Sequence, residues 1–84
     1  MIDINEVLSD LKKHKFYDLN KSYTYLYKKY KIKPNHIVSY KIKNGIKYEG
    51  DVYKIGDEEL EIVGTTNKDL NILCEYRIHK KYTE

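Results

Sequence analysis

A single cysteine, Cys74, excludes an internal disulfide, so this chain of 84 residues must be held by core packing alone. An unpaired cysteine fits a reducing compartment, and a cytoplasmic location is the expectation. No apolar run approaches the roughly 20 residues that span a bilayer, so no membrane partner is expected. The opening MIDINEVLSDLKKH carries acidic groups where an export signal has basic ones, and no such signal is expected. The three histidines, His14, His36 and His79, stand at no metal-ligand spacing with each other or with Cys74. There is no phosphate-binding glycine loop. Gly45, Gly50, Gly56 and Gly64 each fall where backbone geometry asks for glycine. Cys74 lies on the inward face of a predicted strand, where a thiol is inert. The acidic run Asp57, Glu58, Glu59 and Glu61 reads as a solvated turn and the outer face of a strand. With no converging nucleophile, base or metal set, neither an enzyme nor a cofactor is predicted.

What the chain does have is lysine and tyrosine. Ten tyrosines and a net charge of +3 stand out, with one arginine, Arg77. The charge is uneven. Eight Lys oppose four Asp and Glu from Met1 to Lys33, and eight Lys and Arg oppose nine from Pro34 to Glu84, giving +4 and −1. An excess of this size permits a polyanionic partner without requiring one. Codon usage in an A/T-rich genome is a competing explanation for the Lys, Ile, Asn and Tyr bias.

The pattern predicts one domain over 1–84, with a helical part over 1–33 and a β-meander over 36–82. Asp3 and Glu6 have the spacing of a capping box, with Ile2 and Val7 as its hydrophobic staple. Ile4, Val7, Leu8 and Leu11 then form one apolar stripe, ending near Lys15 or Phe16. A second helix is predicted over Leu19–Tyr30 with Asp18 as cap. Its core face is Leu19, Tyr23, Leu26, Tyr27 and Tyr30; its outer face carries Lys21, Tyr25, Lys28 and Lys31, with Lys29 nearby. Pro34 closes the helical part.

Alternation begins at His36. A three-residue loop, Lys43–Asn44–Gly45, pairs Ile42 with Ile46, Tyr40 with Tyr48 and Val38 with Gly50, keeping apolar residues on one face. Ile46, Tyr48, Gly50 and Val52 are then inward, and Gly50 marks a bend or bulge. Leu60 and Ile62 point inward on the next strand, with Glu59 and Glu61 outward. Cys74, Tyr76 and Ile78 point inward on the last. The tail KKYTE allows a short fifth strand. By this pattern Tyr17, Tyr25, Tyr53 and Tyr82 are the outward tyrosines.

The stretch YKIKNGIKYEGDV followed by GDEELEIVG resembles the first motif of the Sm-like proteins, small bent β-barrels. Asn44, Gly45, Tyr48, Gly50, Val52, Asp57, Leu60 and Ile62 fit its outline, within Val38–Gly64. The resemblance implies a bent antiparallel meander after an N-terminal helix and assembly through strand edges. It does not imply the family's uridine pocket. Glu61 stands where the family has a base-holding Asn, and NILCEYRIHKK lacks the Arg-Gly pair of the second motif. The spacing to Asp57 is also one residue longer.

The fold class expected is α+β, with two N-terminal helices packed on a four- or five-stranded, strongly bent antiparallel sheet or small Sm-like barrel. The function expected is a non-enzymatic binding module that recognises nucleic acid or a nucleoprotein through Lys and Tyr. The candidate residues form two sets. Lys41, Lys43 and Lys47 crowd the hairpin, where facing like charges favour an anionic partner. Lys21, Tyr25, Lys28 and Lys29 line the second helix, where rings can stack on bases while cations neutralise phosphates. A solvated lysine face is the plainer explanation of each. The alternative function is a protein-binding inhibitor or adaptor, such as a phage or mobile-element protein that blocks a host machine. A homo-oligomer built through strand edges is the third class.

Overall fold

The structure, a computed structural model, describes residues 2–80. Helix α1 spans Ile4–His14 and helix α2 spans Leu19–Tyr30. Strands β1 (His36–Ser39), β2 (Glu49–Ile55), β3 (Glu58–Gly64) and β4 (Glu75–Lys80) follow. They form one antiparallel sheet in the order β1-β2-β3-β4. The class is therefore α+β, as the pattern predicts, and the sheet is open: its first and last strands do not pair into a barrel. Of the tail proposed for a fifth strand, Lys80 is the last residue of β4, and 81–84, with Tyr82, lie outside the described residues. No described helix is long and apolar enough to cross a membrane.

Both helices begin where their caps dictate. The Asp3 side chain accepts from the Asn5 amide at 3.1 Å, and Asp18 accepts from the Lys21 amide at 2.9 Å. Each helix ends on a left-handed lysine, Lys15 and Lys31, whose amide bonds back to a carbonyl of the last turn. Two backbone bonds then seat the helices on the sheet. The Leu19 amide donates to Thr65 O at 2.9 Å, and the Cys74 amide donates to Phe16 O at 3.0 Å. The core lies between, built from Ile4, Val7, Leu11, Leu19, Leu26, Tyr53, Ile55, Leu60 and Ile62 with the Cys74 thiol.

The buried face of α2 corrects the prediction. Leu19, Ser22 and Leu26 are buried, whereas Tyr23 and Tyr27 are 38% and 43% exposed. The face is turned by less than the roughly 100° of one residue step. Two features turn it. Ser22 is small and satisfies its own hydroxyl on Leu19 O, so the helix can approach the sheet there. Asp10 of α1 meanwhile draws the other flank inward. Its Oδ2 accepts from Tyr25 Oη at 2.6 Å, Lys29 Nζ at 2.7 Å and Tyr30 Oη at 2.8 Å. The Lys29 and Tyr25 bonds hold the Asp10 carboxyl well below the usual carboxylate range, against the opposing effect of burial. Ring contacts of Tyr25 with His14 and Phe16, at 4.4 and 5.4 Å between centroids, complete this helix–helix clamp.

The hairpin turn is a second correction. Lys43 and Ile46 exchange both backbone bonds, so the turn holds two residues, and Asn44 and Gly45 have φ of 54° and 75°. Positive φ at both positions is the geometry that Asn-Gly favours. Yet Tyr40 still bonds Tyr48 O and Val38 still faces Gly50, as the three-residue loop would have them. Between these two registers Lys41 and Ile42 together oppose Lys47. That two-against-one step is a bulge, and it absorbs the extra residue. It leaves Ile42 66% exposed instead of inward.

The third correction concerns β2. Asp51, Tyr53 and Ile55 face the helices, not Gly50 and Val52. Tyr53, expected outward, is the largest fully buried side chain. The strand is buried on both sides, because something also covers the face away from the helices.

Candidate functional site

The cover on the helix-free face is the hairpin arm, Tyr40 to Tyr48. In the β2–β3–β4 register Val52, Glu61 and Arg77 lie side by side on this face, as do Gly50, Val63 and Glu75. Tyr40, from the far edge of the sheet, reaches across β2 and donates its hydroxyl to Glu61 Oε2 on β3. It can do so because Gly50 lies in the path. A Cβ on Gly50 would stand 3.0 Å from Glu61 Cδ and closer still to Oε2. Gly50 sits in regular pairing with both neighbouring strands, so it is a slot for a carboxylate, not the predicted bend.

Glu61 anchors the arm. It is 3% exposed, and its other oxygen lies 3.0 Å from His79 Nε2. Burial pulls its carboxyl up, but the bonds from Tyr40 and His79, with the charges of His79 and Arg77, outweigh that and hold it below the ordinary range. Tyr40 in turn is held protonated by its bond to Glu61, with burial acting in the same direction. Glu61 was expected on an outward, solvated face; it is instead the polar centre under the arm.

Between the arm and β4 runs a groove of about 530 Å³. Tyr40, Tyr48, Lys41 and Lys43 form the arm side, Glu75 and Arg77 the β4 side, and Val63, Ile72 and Leu73 supply apolar surface. The Arg77 guanidinium lies 6.0 Å from the centre of the Tyr40 ring and 3.3 Å, through Nη2, from Glu75 Oε2. Tyr40 and Tyr48, expected in the core, are only half-buried and border this opening.

The seven predicted site residues separate. Lys41 and Lys43 line the groove. Lys47 lies 3.5 Å from Glu49, in an exposed ion pair. Lys21, Tyr25 and Lys28 border a shallow depression of about 440 Å³ with Phe16, Asn20 and Thr24, on the helical side of the molecule. Lys29 leaves this depression for Asp10, where its ammonium also donates to the Tyr25 hydroxyl at 3.2 Å. Tyr25 spends its hydroxyl on Asp10 and its ring on His14, so it does not offer the free stacking surface expected of it.

Arg77, Glu75, Tyr40 and Tyr48 were absent from the predicted site. One signal pointed to them: Arg77 is the chain's single arginine, on a strand whose alternate residues are core. Cys74 is buried, and burial, followed by the Asp18 and Asp51 carboxylates, pushes its thiol up to about 11. Among the described residues no group of three His, Cys, Asp or Glu converges as a metal site would. Comparison of the chain with protein-family models, with curated proteins and with solved structures finds no match.

Proposed function

We propose that this chain is a small non-enzymatic binding module that takes a single-stranded stretch of nucleic acid, free or within a nucleoprotein, in the groove under the hairpin arm. The observation that carries this reading is the meeting of two tyrosines with Lys41, Lys43 and Arg77 around one opening. Aromatic rings stack on any base, and cations neutralise the phosphates between them. Three cations against the carboxylate of Glu75 on the lining and that of Glu61 behind Tyr40 leave the groove positive. Its volume of about 530 Å³ lies in the roughly 300–1,000 Å³ range of pockets that seat drug-sized ligands, room enough for a nucleobase.

The test is fluorescence anisotropy with labelled oligonucleotides across a salt series. Changing Lys41→Glu together with Lys43→Glu is expected to weaken binding at least tenfold. If each lysine meets one phosphate, the slope of log affinity against log salt falls by about 1.4. An unchanged slope would remove the groove from consideration.

A second reading, a protein-binding inhibitor or adaptor, has its own observation. Tyr23 and Tyr27 stack in the open, 6.4 Å between centroids, and Ile37 on the same side of the sheet is 60% exposed. Exposed tyrosines of this kind anchor protein interfaces. Under this reading Tyr23→Ser with Tyr27→Ser abolishes capture of one stoichiometric partner from a host lysate. Capture that survives the double change would exclude this patch.

A further inference from the structure

A carboxylate is out of place in a groove that neutralises phosphate. Glu75 is nonetheless there, its side chain 70% exposed, and Arg77 leans on it across 3.3 Å. Repulsion between Glu75 and a phosphate would weaken binding unless the carboxylate meets something that donates hydrogen bonds. In a single-stranded nucleic acid the donors that differ from one nucleotide to the next are on the base edges, the ribose 2′-OH of RNA being common to all four. Resting on the nucleic-acid reading above, we propose that the Glu75–Arg77 pair makes the groove selective for an unpaired guanine.

The chemistry follows from what each base presents. The pair sets a carboxylate acceptor beside a guanidinium donor. Guanine has a matching edge: O6 accepts, and next to it N1–H and N2–H₂ both donate. Arg77 donates to O6, while the two oxygens of Glu75 accept from N1–H and N2–H₂. The pair need not separate far, because the acceptor and donors on guanine are themselves adjacent. Uracil offers N3–H between two carbonyls, so one carboxylate oxygen would face another acceptor. Cytosine has one amino group followed by two acceptors, and adenine one amino group followed by a ring nitrogen. Guanine alone puts two donors in a row opposite the carboxylate. Tyr40 and Tyr48 then serve as stacking surfaces, and Lys41 and Lys43 take the flanking phosphates.

The experiment measures anisotropy of four labelled nine-residue oligoadenylate RNAs, identical except for A, C, G or U at the centre, at one fixed salt concentration. The guanine-centred RNA is expected to bind at least fivefold tighter than the other three. With Glu75→Gln that preference should drop below twofold, while affinity for the all-adenine RNA rises, because a repulsive charge has gone. Equal binding of the four RNAs by the unaltered protein overturns the guanine proposal and leaves groove binding standing. So does a preference that survives Glu75→Gln. If none of the four binds, the nucleic-acid reading and the guanine proposal fall together.

Discussion

Gly50→Ala is expected to destabilise the protein by about 2–4 kcal/mol, a large effect for one methyl group. The added carbon would be 3.0 Å from Glu61 Cδ and would overlap Oε2. Glu61 cannot move aside freely, since Tyr40 and His79 hold one oxygen each. Overpacking of this kind costs roughly 1–3 kcal/mol. A buried carboxylate that loses a donor costs a similar amount. The prediction can be separated from a general intolerance of β2 to side chains by adding Glu61→Ala. With the carboxylate gone, the alanine at 50 has room, so the double variant should be more stable than the two single losses summed. Urea unfolding of the four proteins gives the coupling directly. Additivity within about 0.5 kcal/mol would mean that Glu61 is not what Gly50 accommodates. Because Tyr40 is a wall of the groove, Gly50→Ala should also weaken oligonucleotide binding where the protein is still fully folded.

That interplay shows why some of the molecule was legible in the sequence and some was not. The helices were legible to their ends because caps are local: Asp3 and Asp18 bond amides two and three residues away. Leu60, Ile62, Cys74 and Tyr76 were legible because one side of β3 and β4 meets the helices in simple alternation. Alternation failed on β2 because a carboxylate, Asp51, shares the helix-facing side with Tyr53 and Ile55, while Val52 lies on the other. Both β2 and β3 are buried on two faces, and only β3 marks the side away from the helices with charges, Glu59 and Glu61. The face of α2 failed for a related reason. Apolar spacing favoured Tyr23 and Tyr27, but the Asp10 clamp and the small Ser22 decided the rotation, and neither is an apolar signal. In the site, Lys41 and Lys43 could be found from the hairpin they flank. Arg77 was marked only as the single arginine and Glu75 not at all, because they join the site only when the arm folds back across β2, a contact 21 residues long between Tyr40 and Glu61. Alternation and turn signals placed Gly50 and Glu61 on neighbouring strands, though a mid-strand glycine reads as a bend.

Asp51 supplies the other large effect, with the opposite sign. It lies on the helix-facing side of β2, 6% exposed, between Ile37 and Ile62 of the neighbouring strands. No described side chain hydrogen-bonds its carboxylate. Burial, reinforced by the nearby Glu49 charge, pushes its carboxyl up to about 6. An unfolded chain releases that proton near pH 4. Between about pH 4 and pH 6 the folded protein therefore holds a proton that the unfolded chain has lost, and stability falls as pH rises through this window. A carboxyl raised from near 4 to about 6 contributes roughly 3 kcal/mol, fully lost above pH 6. Asp51→Asn removes the ionisation, so at pH 7.5 it is expected to stabilise the protein by about 2–3 kcal/mol. At pH 4 the same substitution should be nearly neutral. Glu61 acts the other way: its carboxyl is held low, so its contribution is present above the ordinary carboxylate range and is lost on acidification. The two are told apart by plotting variant minus unaltered stability against pH from urea midpoints. Glu61 cancels in that difference, and Asp51 alone should give a rise between pH 4 and 6 followed by a plateau. A flat difference curve would show that Asp51 ionises in the fold as it does in water, and that this buried position finds a donor for its carboxylate.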